Sequence, residues 1–294
     1  MNLKVPLNLK DSVTVMRDIS SEQLETAVAR LFLETAFRLP AKVEGDLLGA
    51  LEREESPQAK GVLSVLAENM RAAAEGPVPL CQDTGLPQVL IETGCEVRWK
   101  DGPPAGAAER GARRAYREGG LRASGCLPLS RENLGSLLPV SVETVMVPGD
   151  SVTVYTLAKG GGCDNKSLQV NLPPTAGRKA AAEAAAGAAL AAGPDACPPF
   201  YLGICVGGTF ESAPRHARRA LWGILWGPPP TEEEASFAEE VAGLLAASGL
   251  GPMCVGGRVT ALGVKAVMRP THIASLPVAV NLCCHSFRPG RAVL

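Results

Sequence analysis

Between residues 179 and 192 the chain is almost wholly alanine. Alanine is the strongest helix former, because its methyl group loses no rotamer freedom on ordering. The run predicts a helix, and a buried one, since side chains this small let a neighbouring element come close. Whatever the chain folds into must be arranged around that helix. Upstream, the first 75 residues also read as helical. Ser20 and Gln23 are spaced for a capping box. Leu24, Val28, Leu31 and Phe32 then form one apolar stripe, and Leu63, Leu66 and Met70 repeat the pattern. At Pro77 to Cys81 the helical pattern stops, and a short strand is predicted over Gln88–Glu92.

Residues 101–108 (DGPPAGAA) read as a surface loop, followed by a helix through Arg113, Tyr116 and Glu118. Val140, Val142 and Met146 alternate, as do Val152 and Val154, with Pro148-Gly149-Asp150 between them; this predicts a β-hairpin. A Pro-rich turn at 226–234 leads into another helix with acids in its first turn. Short apolar segments follow at Leu262–Met268 and Pro277–Leu282. No regular strand–helix alternation is present. The predicted fold class is therefore α+β, a helical N-terminal region packed with a mainly antiparallel sheet covered by helices.

At 294 residues and 46% hydrophobic, the chain can bury a core for one large domain or two modest ones. Its 29 basic and 30 acidic residues give no overall field for nucleic acid. No apolar run has membrane-spanning length, and the opening MNLKVPLNLK lacks a signal-peptide core. The expectation is a soluble cytoplasmic protein with neither nucleic-acid nor membrane partners.

The nine cysteines are an odd number, which weighs against a complete set of internal disulfides. Cys95, Cys126, Cys205 and Cys254 read as small buried hydrophobes. Three others stand in unlike settings: Cys81 in PLCQDTG, Cys197 in DACPPF and Cys284 in NLCCHSFR. Their spacing is too wide for a zinc finger or ribbon. A zinc site would need a fourth ligand or a water, and the imidazoles available are His216, His272 and His285. Three thiolates could instead hold three irons of a cubane and leave the fourth open as a Lewis acid. Asp83 either caps the turn at Gly85 or moves protons beside a substrate carboxylate. The glycine-rich stretch Lys159–Ser167 is either an anion-binding nest or a tight strand exit. It is not a Walker loop.

Five longer segments occur in order: PLCQDTGLPQVLIETG, PGDSVTVYTLAKGGGCDNKSLQ, ACPPFYLGICVGGT, GLGPMCVGGRVT and PTHIASLPVAVNLCC. Together they resemble the alpha subunit of the class I, iron–sulfur-dependent fumarate hydratase and L-tartrate dehydratase family. The resemblance runs from the helical region to about Arg288. It implies a hydro-lyase that adds or removes water across a double bond in a small dicarboxylic acid. It also implies a [4Fe-4S] cluster on three cysteine ligands with the fourth iron open to substrate. Cys81, Cys197 and Cys284 match those ligands; Arg288, four residues on, favours Cys284 over Cys283. By the same resemblance Asp83 and His272 are catalytic, while Gln82, Arg122 and the loop residues Gly161, Asp164 and Asn165 contact substrate. The chain departs from the family in Cys163-Asp164, where many relatives have Ser-Glu, and in Arg258, where lysine is frequent.

The single-chain enzymes of that family continue into a second, C-terminal domain. Residues 1–294 are accordingly expected to be one alpha-subunit domain, helical over 1–76 and cluster-bearing over 77–294. A separate beta subunit would complete the site in an α2β2 assembly. Fumarate and (S)-malate, as in the tricarboxylic acid cycle, are the expected pair, with L(+)-tartrate and mesaconate as alternatives. A non-catalytic zinc-binding structural subunit is the reading from a different class. Cys81, Cys197, Cys284, Asp83, Arg122 and His272 are expected to face one cleft that opens towards the partner.

Overall fold

The structure is a computed structural model and describes residues 16–76, 78–136 and 139–294. The N-terminal decapeptide and Pro77, used in the reading above, lie outside the described residues. The capping box forms: the Ser20 hydroxyl accepts from the Gln23 N–H, and the Gln23 side chain accepts from the Ser20 N–H. It opens α1 (Ser21–Phe37), whose stripe of Leu24, Val28, Leu31 and Phe32 is buried. α2 (Ala41–Arg53) and α3 (Pro57–Glu75) follow and share a cluster around Leu47, Leu63 and Met70. α4 (Pro104–Glu118) packs on α1 and begins inside the stretch expected to be loop. Pro104 fits a first helical turn because its missing N–H has no partner there anyway, and Ala107, Ala108, Ala112 and Ala115 are buried. A short parallel ribbon joins β1 (Arg17–Ser20) to β3 (Val97–Lys100).

The first large sheet contains β2 (Leu86–Gly94), β4 (Ser141–Val147), β5 (Val152–Lys159) and β10 (Pro289–Val293), in the order β10-β5-β2-β4. The alternation over 140–154 does produce two strands, but they do not pair, so the expected hairpin is absent. β2 lies between them, antiparallel to β5 and parallel to β4. The reason is burial. Val89 and Ile91 join the core under α1 and α4, whereas Leu90 joins the core on the opposite face. A strand apolar on both faces takes a central position. The 148–151 turn must then cross the end of β2. Gly94 makes room: its N–H donates to Ser151 O at 2.9 Å, and a Cβ there would stand 2.1 Å from Gly149 O.

The second sheet contains β6 (Leu168–Leu172), β7 (Phe200–Gly207), β8 (Ala261–Arg269) and β9 (Leu276–Cys283), in the order β6-β9-β7-β8. Antiparallel pairings predominate, but they are divided between two sheets. The alanine run forms α6 (Gly177–Ala192). With α8 (Glu232–Ala247), opened by a Thr231–Glu234 capping box, it covers the outer face of the second sheet. α7 (Ser212–Trp226) lies between the sheets. Its Trp222 packs with Leu90 and Leu157 of the first and Tyr201 of the second, and Nε1 donates to Thr156 O at 2.9 Å. The layers thus run helix–sheet–helix–sheet–helix, an α+β fold. The chain crosses from one sheet to the other through the short α5 (Gly161–Lys166), between β5 and β6.

Of the four cysteines read as buried hydrophobes, only Cys205 is buried. Cys95 is exposed in the turn after β2, and Cys126 and Cys254 are half-buried in irregular segments. Among the described residues no helix is long and apolar enough to cross a membrane.

Candidate active site

Strand order brings the three distant cysteines together. Cys197 precedes β7 and Cys284 follows β9; these strands are antiparallel with Tyr201 opposite Cys283, so both cysteines lie at one end of the second sheet. Cys81 precedes β2, whose first residue, Leu86, pairs with Lys159 at the end of β5. α5 starts there and leads to the second sheet. The thiols lie close enough to feel one another's charge. Burial, then the neighbouring Cys284 and Cys81, push the Cys197 thiol up to about 11. Burial raises Cys81, and Cys284 adds to the shift. Cys284 itself is drawn below the usual thiol range, first by a hydrogen bond with Cys163 and then, against burial, by His285 and Arg288. Successive strand residues face opposite ways. Cys283 therefore packs with Tyr201, Trp222 and Phe287, whereas Cys284 packs towards Cys163 and Phe200.

Asp83 is held beside these sulfurs. Its Oδ1 accepts from the Gly85 N–H at 3.0 Å, which forms the Asx turn expected at Gly85. Its Oδ2 accepts from the Gly161 N–H at 2.7 Å, which couples the carboxylate to the first turn of α5. Thr84 fixes the next element: its Oγ1 accepts from the Arg122 N–H at 3.0 Å. Tyr116 hydrogen-bonds to Thr84 O at 2.9 Å and Gly85 O at 2.7 Å from beneath. The result is a cavity of about 460 Å³ whose polar wall includes Gln82, Asp83, Arg122, Ser124, Arg131 and Gly161. That volume suits a small ligand. Gln82 Oε1 also lies 3.5 Å from the Cys81 sulfur.

Of the expected residues Gln82, Asp83, Arg122 and Gly161 line this cavity, whereas Cys81, Cys197 and Cys284 do not, and neither do Asp164, Asn165 and His272. Asp164 and Asn165 lie on the exposed side of α5. The glycine-rich stretch closes into a helical turn rather than a nest, and a helix that turns Cys163 inwards turns its two successors out. His272 precedes β9, whereas Cys284 follows it, so the length of the strand separates them. His272 closes a local turn instead, its Nδ1 accepting from the Ala274 N–H at 3.1 Å. The expectation that His272 faces the cysteine cleft does not hold within this chain. His216 lines a separate cavity with Tyr155, Trp222 and Trp226.

Other residues do reach the site. His285 Nδ1 donates to Cys197 O at 3.2 Å, tying the loops of two cysteines. Lys159 is fully buried; its ammonium donates to Ser167 Oγ at 3.1 Å and to Asn281 Oδ1, with Asp164 Oδ1 at 3.8 Å. Strand parity could have found it, because Lys159 shares the inward face of Leu157. Arg288, 1% exposed, donates from Nη2 to Asp83 O at 3.0 Å. Among the described residues its Nε and Nη1 are buried without an acceptor. Leaving one member of a buried ion pair alone costs about 3–5 kcal/mol. A cation so placed, near the Cys81 and Cys284 thiols, is complementary to an anionic group held on those sulfurs. Among the described residues no three His, Cys, Asp or Glu side chains converge on a single metal ion. Cys81, Cys197 and Cys284, with a buried cation near two of them, are donors of the kind an iron–sulfur cubane takes, one thiolate to each iron.

The chain is 30% identical over 272 residues to a protein of Methanocaldococcus jannaschii provisionally named L(+)-tartrate dehydratase subunit alpha, covering 90% of this chain and 95% of that one. It is 27% identical over 291 residues to the aerobic class I fumarate hydratase of Escherichia coli K12, covering 93% of this chain but 52% of the enzyme. It is 23% identical over 280 residues to the L(+)-tartrate dehydratase subunit alpha of E. coli O157:H7, covering 89% of that subunit. The chain thus spans nearly all of the alpha subunits and about half of the fumarate hydratase. The fumarate hydratase (Fumerase) family model matches residues 25–293, and the chain belongs to that family.

Proposed function

We propose that the chain is the alpha subunit of a hydro-lyase that interconverts fumarate and (S)-malate. The observation that carries this reading is the Asp83 carboxylate, which lines the Arg122 cavity and lies near the Cys81 and Cys197 thiols. Arg122 offers a planar fork matched to a substrate carboxylate, and Gln82 adds an amide at the same wall. Asp83 exchanges a proton at the carbon next to that carboxylate. Its two N–H bonds fix its direction, and each oxygen keeps a lone pair for the substrate. A [4Fe-4S] cluster on Cys81, Cys197 and Cys284 would supply Lewis-acid chemistry at the substrate hydroxyl.

The same groups recognise dicarboxylates in general, so L(+)-tartrate is the second reading. It is favoured by the match to tartrate dehydratase alpha subunits along nearly their whole length. A beta partner in an α2β2 cytoplasmic enzyme completes the proposal. Leu127, Leu129 and Leu134 are exposed on the segment that walls the cavity, and Leu129 is 94% exposed. An apolar rim of this kind suits a partner surface. Anaerobic assays of the reconstituted α–β pair with fumarate, malate, L(+)-tartrate and mesaconate test the reading. Turnover of fumarate and malate is expected. Turnover of tartrate alone would transfer the assignment to tartrate dehydratase, and turnover of none would reject the class.

A further inference from the structure

Lys159 is a buried cation that neither the proposed cluster nor the proposed proton transfer uses. Its side chain is 0% exposed, at the end of β5 where the chain leaves the first sheet. The ammonium stands between two elements. It donates to Ser167 Oγ at 3.1 Å, just past α5, and to Asn281 Oδ1 on β9, with Asp164 Oδ1 of α5 at 3.8 Å. Ser167 Oγ also donates to Cys163 O at 2.8 Å and accepts from the Leu282 N–H at 3.0 Å. The C-terminal end of α5 is thus pinned to β5 and β9. At its N-terminal end the Gly161 N–H donates to Asp83 Oδ2 at 2.7 Å. The second bond to Asp83 comes from Gly85, and that turn lies against the same strand end. Gly85 has a φ of +84°, and a Cβ there would stand 2.7 Å from Ala158 C and 2.9 Å from Lys159 N. Both N–H groups that orient Asp83 therefore come from segments held at Lys159.

A buried charge does little for stability alone, because an apolar side chain of similar volume often serves as well or better. Two of the three partners here are neutral, and the one acid is exposed and 3.8 Å away. We infer that Lys159 is a positioning residue: its ammonium clamps α5 to β9 and so holds the Gly161 N–H on the Asp83 carboxylate. A helix of 6 residues cannot keep its direction unaided, since so short a segment is unstable by itself. Misplacing a proton-transfer group slows the reaction even when binding is intact. The importance of Asp83 for turnover rests on the function proposed above; the clamp does not.

The test uses the full chain with isotope-labelled glycine, in wild type, Lys159→Met and Asp83→Ala, and follows amide exchange by NMR. The Gly161 signal is identified by its loss from Gly161→Ala, a change the site has room for, since the added methyl meets only Asp83 Oδ2 at 3.7 Å. The Gly161 amide is expected to exchange slowly in wild type, and in Lys159→Met as fast as in Asp83→Ala. Exchange as slow as in wild type overturns the inference. Asn281→Ala, which cuts only the link to β9, is expected to raise the rate as well, and it decides the matter if Lys159→Met does not fold. A second arm measures turnover of fumarate and malate by the α–β pair. Lys159→Met is expected to lower kcat and kcat/KM together, by roughly 10²-fold, with KM held. A raised KM at unchanged kcat, or unchanged turnover, overturns the positioning role. If the wild-type pair turns over no dicarboxylate, the hydro-lyase reading fails, and the exchange rates still decide the clamp.

Discussion

Arg288 shows how one buried side chain can carry charge at the site. Its guanidinium is buried, touches the Asp83 carbonyl and leaves two nitrogens without acceptors among the described residues. An unpartnered buried charge weakens the metal-free protein. Arg288→Met is therefore expected to leave the thermal midpoint of the metal-free chain unchanged or raised, while iron is lost faster from the loaded chain. A lower midpoint with unchanged iron retention would contradict this. Asp83→Asn separates chemistry from architecture. Iron content should persist, while turnover of the α–β pair falls by roughly 10²–10⁴-fold, the range for removing a general acid–base group. Glu54, 1% exposed, is a structural counterpart. Burial pushes its pKa up, but the N–H groups of Ser56, Val259, Glu55 and Arg258 hold it below the usual carboxylate range. It thereby anchors the Gly256–Val259 segment to the α2–α3 junction. Gly257 is required there, because a Cβ would stand 2.8 Å from Glu54 Oε2 at a φ of +116°. A depressed carboxylate contributes stability above its unfolded pKa of about 4.3 and loses it as pH falls through the folded value. Glu54→Gln should cost about 1.5–3 kcal/mol at neutral pH, as hydrogen bonds to a charged group do. The difference from wild type should vanish in acid, as denaturant unfolding at several pH values would show.

At the scale of elements, the least expected feature is the insertion of β2 between β4 and β5. It depends on the close crossing of Gly94 and Gly149. Gly94→Ala places a methyl 2.1 Å from a backbone oxygen that cannot yield without moving the turn. A loss of about 1–3 kcal/mol is expected, as for other overpacked sites, and an unchanged unfolding midpoint would contradict the arrangement. Local patterns made most elements legible. The Ser20–Gln23 box, the Leu24–Phe32 stripe, the alanine helix and the late apolar segments are written in neighbouring residues. The pairing of strands is not. Alternation shows that 141–147 and 152–159 are strands, but their partners depend on how β2 buries both faces, which is a property of the whole sheet. The site divides in the same way. Gln82, Asp83 and Arg122 share one cavity, and the cysteine motifs stand at adjoining strand ends. His272 carries a motif yet lies at the opposite end of β9, because motif order says nothing about which end of a strand a loop occupies. Lys159 carries no motif and shows only through strand parity, and the spacing of Arg288 from Cys284 gives no sign that its guanidinium is buried against the Asp83 loop.

At the scale of the molecule, two sheets share α7, and the chain passes between them through α5. The candidate site lies at that passage. Its sulfurs come from both sheets, and its carboxylate is held by the connecting helix. Such a site cannot form until both sheets are in place, so loading with iron should stabilise the whole fold rather than one layer. The central claim is that three cysteines from separate loops hold one cluster. Iron, acid-labile sulfide and zinc measured per chain, in anaerobically prepared wild type and Cys81→Ser, test it most directly. The account predicts about four irons and four sulfides in wild type, as one cubane requires, with most of both lost from Cys81→Ser. Stoichiometric zinc without iron, or undiminished iron and sulfide in Cys81→Ser, would contradict it.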